Sequence, residues 1–162
     1  MIKQEIRVGI SDMNTAFSPD KLYTVGLGSC VGIVMYDKEL KLGGMAHIML
    51  PDSRQFADVC NPLKFADLAI PMLLEDMQKL GSKKQNVIAK IAGGASMFNF
   101  ADKKMNMDIG RRNSVAVKQI LDSMRIPLIR DDVGGNKART MILDTKTGVV
   151  SIKTVGMGVA EI

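Results

Sequence analysis

The stretch from Leu22 to Leu50 constrains the fold more than any other part of the chain. It holds two β-prone runs, LYTVGLGSCVGIVMYD and KLGGMAHIML, joined through the charged connection Asp37 to Lys41. In the first run Val31, Ile33 and Met35 alternate with smaller residues, which is the period of a strand. Two such runs around a short polar link predict an antiparallel hairpin. Pairing Tyr36 with Lys41 across the loop Asp37 to Leu40 sets Cys30 directly opposite His47. Opposed residues share a sheet face, with Cβ atoms about 4.5 to 5.5 Å apart, close enough for a thiolate-imidazolium pair. A slip of one residue would move Cys30 opposite Ala46 or Ile48.

Flanking segments supply the remaining elements. Ile6 to Ile10 reads as a short strand and Ser11 to Asp20, with Pro19, as a loop. Asn61-Pro62 opens a helical stretch whose apolar positions Phe65, Leu68, Ala69, Met72, Leu73 and Leu80 keep helical spacing until Gly81. Pro71 inside it predicts a kink or a division. Val87 to Ile91 is a strand leading to Gly93-Gly94. Val117, Ile120, Leu121 and Met124 mark a second helix with Asn113 as a candidate cap. Leu128 to Val133, Arg139 to Leu143 and Val149 to Val155 read as strands, with a turn over Thr145 to Gly148. Strands outnumber helices and hairpins dominate, so the expectation is an α+β fold with mostly antiparallel sheet and two main helices. No repeat, low-complexity stretch or linker divides the chain, so residues 1–162 are expected to form one domain.

Composition narrows the function. At 162 residues and 46% hydrophobic content the chain can bury an ordinary core. Two cysteines, Cys30 and Cys60, without a cleavable leader point to free thiols in a reducing cytoplasm. No apolar run reaches the roughly 18 residues of a membrane-spanning helix. One histidine and two cysteines cannot build a Cys₄ or Cys₂His₂ zinc site, so no metal is expected. Tryptophan is absent and aromatics are 4%, which removes the stacking surface of single-stranded nucleic-acid binders. The net charge of +5 (22 basic against 17 acidic residues) is spread along the chain, as on a solvated surface or one that meets acidic protein partners.

Any cysteine-histidine chemistry must use His47, the lone imidazole. A free thiol with pKa of about 8.5 is only a few per cent thiolate at neutral pH, and a neighbouring imidazolium raises that fraction. The sulfur can then attack a carboxamide or acyl carbon while the imidazole protonates the leaving nitrogen and activates water. Gly26, Gly28 and Gly32 surround the thiol, and backbone N–H groups of GLGSC are candidate oxyanion donors. The residues alone leave open a plainer reading, in which Cys30 is a small buried hydrophobe and His47 a hydrogen-bonded core residue. Gly26-x-Gly28 leads into a strand rather than a helix, which argues against a dinucleotide fingerprint. Cys60 is read as incidental and the 13 methionines as core filler.

GLGSCVGIVMYD, GGMAHIMLP, KIAGGASMF at Lys90 to Phe98, IGRRN at Ile109 to Asn113 and GGNKAR at Gly134 to Arg139 together resemble the CheD family of chemoreceptor glutamine deamidases. The resemblance implies a layered α/β fold related to bacterial toxin deamidases. It implies catalytic roles for Cys30, His47 and Thr24, hydrolysis of receptor glutamine side chains through a Cys30 thioester with ammonia release, and no cofactor. It also implies chemoreceptors as substrates and a CheC-type phosphatase as a partner competing for the active-site region. Gly28, Ser29, Ser96 and Phe98 are candidate substrate contacts, Asn99 to Asp108 a surface loop, and Arg111 and Arg112 candidate ligands for acidic partner groups. The rival expectation is a chemotaxis regulator that acts mainly by binding the phosphatase and receptors; a cysteine peptidase is a third.

Overall fold

The computed structural model describes residues 2–97 and 108–162. Its strands are β1 (Glu5–Arg7), β2 (Asp12–Phe17), β3 (Lys21–Leu27), β4 (Val31–Asp37), β5 (Leu42–Ile48), β6 (Val87–Gly93), β7 (Leu128–Val133), β8 (Arg139–Asp144), β9 (Val150–Thr154) and β10 (Gly158–Glu161). Two helices accompany them among the described residues, α1 (Ala66–Lys79) and α2 (Ile109–Ser123). The strands form two five-stranded sheets, ordered β2-β5-β4-β6-β7 and β1-β3-β8-β9-β10. Both are mixed: β1 runs parallel to β3, and β6 runs parallel to β7 through the crossover helix α2. The architecture is the expected α+β layering, with helices on one sheet and the second sheet on its other side.

That layering explains why every residue of β4 and β5 is buried. Val31, Ile33 and Met35 of β4, with Ala46 and Ile48 of β5, face Ala69, Leu73, Val117 and Leu121 of the helices. Val34, Tyr36 and Met45 face the second sheet, where Leu22, Met141, Leu143 and Ile152 meet them. Because side chains alternate along a strand, a hairpin covered on both faces loses its polar alternation and reads as continuously apolar. Gly43 fits this sandwiching, since a Cβ there would overlap the Leu143 side chain of the facing sheet.

The hairpin forms, but in a different register. Asp37 pairs with Leu42 and Gly32 with His47, so the turn is Lys38 to Lys41 and Cys30 is not opposite His47. Asp37 moves the turn by one residue on each side. Its Oδ1 accepts from Leu40 N–H at 3.1 Å and its Oδ2 from Ser82 Oγ at 2.5 Å, while Lys41 takes a left-handed φ of 50°. The slip is even-numbered, and Cys30, one residue before β4 begins, packs toward the layer between the sheets, where His47 meets Thr24.

Five other expectations change. Ser11 to Asp20 contains β2, which pairs antiparallel with β5 as the sheet's outer strand. The strand expected at Ile6 to Ile10 ends at Arg7. The helical stretch after Asn61 divides at Phe65, not at Pro71: Pro62–Lys64 is a separate 3₁₀ turn capped by Asn61 Oδ1, and α1 runs through the exposed Pro71. Asn113 lies inside α2, buried, instead of capping it. The chain also continues past the expected last strand into β10. No described helix is long and apolar enough to cross a membrane.

Candidate active site

Thr24 on β3 and His47 on β5 belong to different sheets and meet in the layer between them, both fully buried. Thr24 Oγ1 lies 2.7 Å from His47 Nδ1 and 2.7 Å from the carbonyl oxygen of Val8. A hydroxyl has one proton. The carbonyl can only accept, so Thr24 donates to Val8 and must accept from Nδ1–H. This fixes the tautomer and leaves Nε2 with its lone pair free. Nε2 is buried and, among the described residues, has no hydrogen-bond partner. Burial alone pushes the imidazole down from 6.5 to about 4, so His47 is neutral at physiological pH.

Cys30 ends the connection between β3 and β4. Gly26, at φ 74°, and a register irregularity between Thr24 and Leu27 turn the chain out of β3. The connection is then tied to the segment after β6: Gly94 N–H donates to Cys30 O and Ala95 N–H to Gly28 O, each at 2.8 Å. Gly93, at φ 113°, permits this approach, since a Cβ there would overlap the Cys30 carbonyl. Arg139 braces the same place, donating to Gly93 O at 3.2 Å and Gly134 O at 2.8 Å beside Asp132. Cys30 packs half-buried against the inter-sheet core that also holds Leu27 and Met141.

Burial pushes the Cys30 thiol up, partly offset by its own backbone N–H. With His47 pushed down, the resting pair is a neutral thiol and a neutral imidazole. The expected thiolate-imidazolium pair is therefore corrected: the sandwich that positions the groups also desolvates both charged forms. What the arrangement supplies is a fixed, desolvated proton acceptor on the same sheet face as the thiol.

The other site residues divide. Gly28 and Ser29 flank the thiol, and Ser96 follows the segment paired with them, its N–H donating to Gly135 O at 2.8 Å. Ser96 lines a cavity of about 340 Å³ with Gly94, Arg111, Ser114 and Gly135. Phe98, and the expected loop up to residue 107, lie outside the described residues. Arg112 reaches Gln55 Oε1 at 3.3 Å and lines, with Arg111, Asp52 and Val115, a groove of about 430 Å³. Cys60 is exposed and free. Sequence reasoning missed the contacts that tie Asn113 and Arg139 to this region, to Ser29 O and to Gly93 O. Asn113 falls in line with Val117 and Leu121 at helical spacing, and a polar residue on an apolar stripe is the signal that could have found it.

Residues 49–154 match the family described as CheD chemotactic sensory transduction. The chain belongs to the CheD family. Among its CheD relatives, a probable chemoreceptor glutamine deamidase of Clostridium kluyveri is 64% identical over 98% of both chains. One of the same description from Clostridium novyi is 64% identical over the full length of both. Among solved structures, the Bacillus licheniformis hypothetical protein YfiH aligns over 72% of this chain and 49% of its own, with 18% identity and a TM-score of 0.39.

Proposed function

We propose that this chain is a cytoplasmic protein-glutamine deamidase of chemotaxis, a single domain over residues 1–162 that hydrolyses glutamine side chains of chemoreceptors to glutamate. The observation that carries the reading is His47: a buried imidazole whose Nδ1 is anchored by Thr24, leaving Nε2 unpartnered among the described residues on the sheet face it shares with Cys30. The descriptions of the relatives supply the substrate class.

In this mechanism His47 Nε2 takes the Cys30 proton as the sulfur attacks the carboxamide carbon. The resting pair is neutral, so the thiolate forms only as the new C–S bond is made. Negative charge moves to the carboxamide oxygen. The N–H groups of Ser29 and Cys30, which have no backbone carbonyl partner among the described residues, are the proposed donors to it. The imidazolium returns its proton to the nitrogen, the C–N bond breaks, and ammonia leaves a thioester on Cys30. His47 then deprotonates water, which attacks the thioester carbon. The proton passes back to the sulfur, giving glutamate and the free thiol. An imidazolium with pKa near 4 is a strong acid toward a departing amine, which favours breakdown toward product. Thr24 keeps Nδ1 protonated throughout, a task that Asp or Asn performs in other cysteine and serine hydrolases.

Gly28, Ser29, Ser96 and Phe98 are the proposed substrate contacts, and a CheC-type phosphatase the proposed partner at the same region. The test incubates wild-type protein and Cys30→Ala with a receptor cytoplasmic fragment, mapping Gln-to-Glu conversion by peptide mass spectrometry alongside ammonia release. Conversion by wild type alone is the expected result. No conversion by a folded, receptor-binding wild-type protein would overturn the enzyme reading in favour of a regulatory binding protein.

A further inference from the structure

Asn113 sits in the second turn of α2, wholly buried, and spends both amide protons on main-chain carbonyls from elsewhere in the fold. One goes to Ser29 O and the other to Met49 O, each at 2.9 Å. Met49 lies two residues beyond His47 and is itself fixed by its N–H to Lys64 O at 2.9 Å. Two bonds in different directions leave the amide plane no freedom to rotate. Its Oδ1 is buried and has no partner among the described residues. The amide therefore ties α2 to the main chain on either side of the site, at Ser29 and at Met49.

Ser29 C=O and Cys30 N–H belong to one peptide plane. In a trans peptide the two point in opposite directions. Holding the Ser29 carbonyl against α2 therefore turns the Cys30 N–H away from the helix. From these contacts we infer that Asn113 is a positioning residue for the deamidation: by gripping the Ser29 carbonyl it aims the Cys30 N–H at the oxygen that becomes negative during attack. This rests on the proposed deamidase mechanism and adds to it the device that sets the oxyanion donor's direction.

The test compares wild type, Asn113→Ala and the near-isosteric Asn113→Asp, which has the same shape but no amide donors. Each is assayed for receptor-fragment deamidation and for alkylation of Cys30 by iodoacetamide, a displacement that forms no oxyanion. The expected result for the variants is a kcat lower by about 10- to 100-fold, somewhat less than the loss of a whole oxyanion donor. KM should stay within about twofold and the alkylation rate within about threefold, a split that general loosening of the fold would not produce. If Asn113→Ala does not fold, Asn113→Asp carries the comparison. A folded variant with wild-type kcat, or one whose alkylation falls in step with kcat, overturns the positioning role while leaving the deamidase intact. Absence of turnover by wild type overturns the deamidase reading and this role with it.

Discussion

Burial of His47 makes a quantitative claim about stability. Its pKa drops from 6.5 to about 4 in the folded protein because the sandwich removes water from the imidazolium. Between those values the unfolded chain binds a proton that the native state refuses. Stability from this group is therefore present above pH 6.5 and is lost as pH falls through the window toward 4. The full difference corresponds to about 3 kcal/mol, of which about 2 kcal/mol is lost between pH 7 and pH 5. His47→Gln removes the titration and leaves all other ionisable groups in place, so subtracting the two stability curves isolates the imidazole. Urea unfolding at a series of pH values reads it directly: relative to the variant, the wild-type midpoint should fall by about 1 M between pH 7 and pH 5. Parallel curves over that range would refute the argument, because they would mean that the imidazole titrates alike in both states.

Thr24→Val keeps the shape and loses the hydroxyl, stranding Nδ1–H and the Val8 carbonyl in the core. The expected cost is about 1–3 kcal/mol in unfolding free energy, with deamidation strongly reduced, while Thr24→Ser should retain most of both. Deamidation and chemical denaturation of the two variants check this, and wild-type turnover by Thr24→Val would remove Thr24 from the mechanism. Pro71, exposed inside α1, costs that helix a backbone hydrogen bond, so Pro71→Ala should stabilise the protein by about 1–3 kcal/mol without changing turnover. A lowered melting temperature would show that the ring does something other than interrupt a helix.

The β4-β5 hairpin was legible because it leaves a mark in sequence, two apolar runs around one polar link, whereas its burial on both faces was not read from the alternation of Val31, Ile33 and Met35. Its register was not legible, since it is decided by Asp37, whose carboxylate serves the turn and Ser82 instead of extending the loop. The edge strand β2 carries DMNTAF, a mixed segment that only its pairing with β5 makes a strand. Asn113 is an ordinary cap residue type, and only the three-dimensional path of Ser29 and Met49 shows why it points inward. Cys30 and His47 were linked by the hairpin, and despite the changed register both lie toward the layer between the sheets. Thr24 came from family resemblance alone. It meets His47 across two sheets, and no periodicity within either strand reports a contact of that kind.

The central claim is that Cys30 forms a covalent bond to the substrate, and the most direct measurement is acid quenching of the protein during turnover of a receptor fragment, followed by intact and peptide mass spectrometry. The account predicts a receptor-linked adduct on Cys30 that hydroxylamine releases, absent from Cys30→Ala together with all Gln-to-Glu conversion. Glutamate formation that continues in Cys30→Ala, with no adduct in wild type, would contradict it.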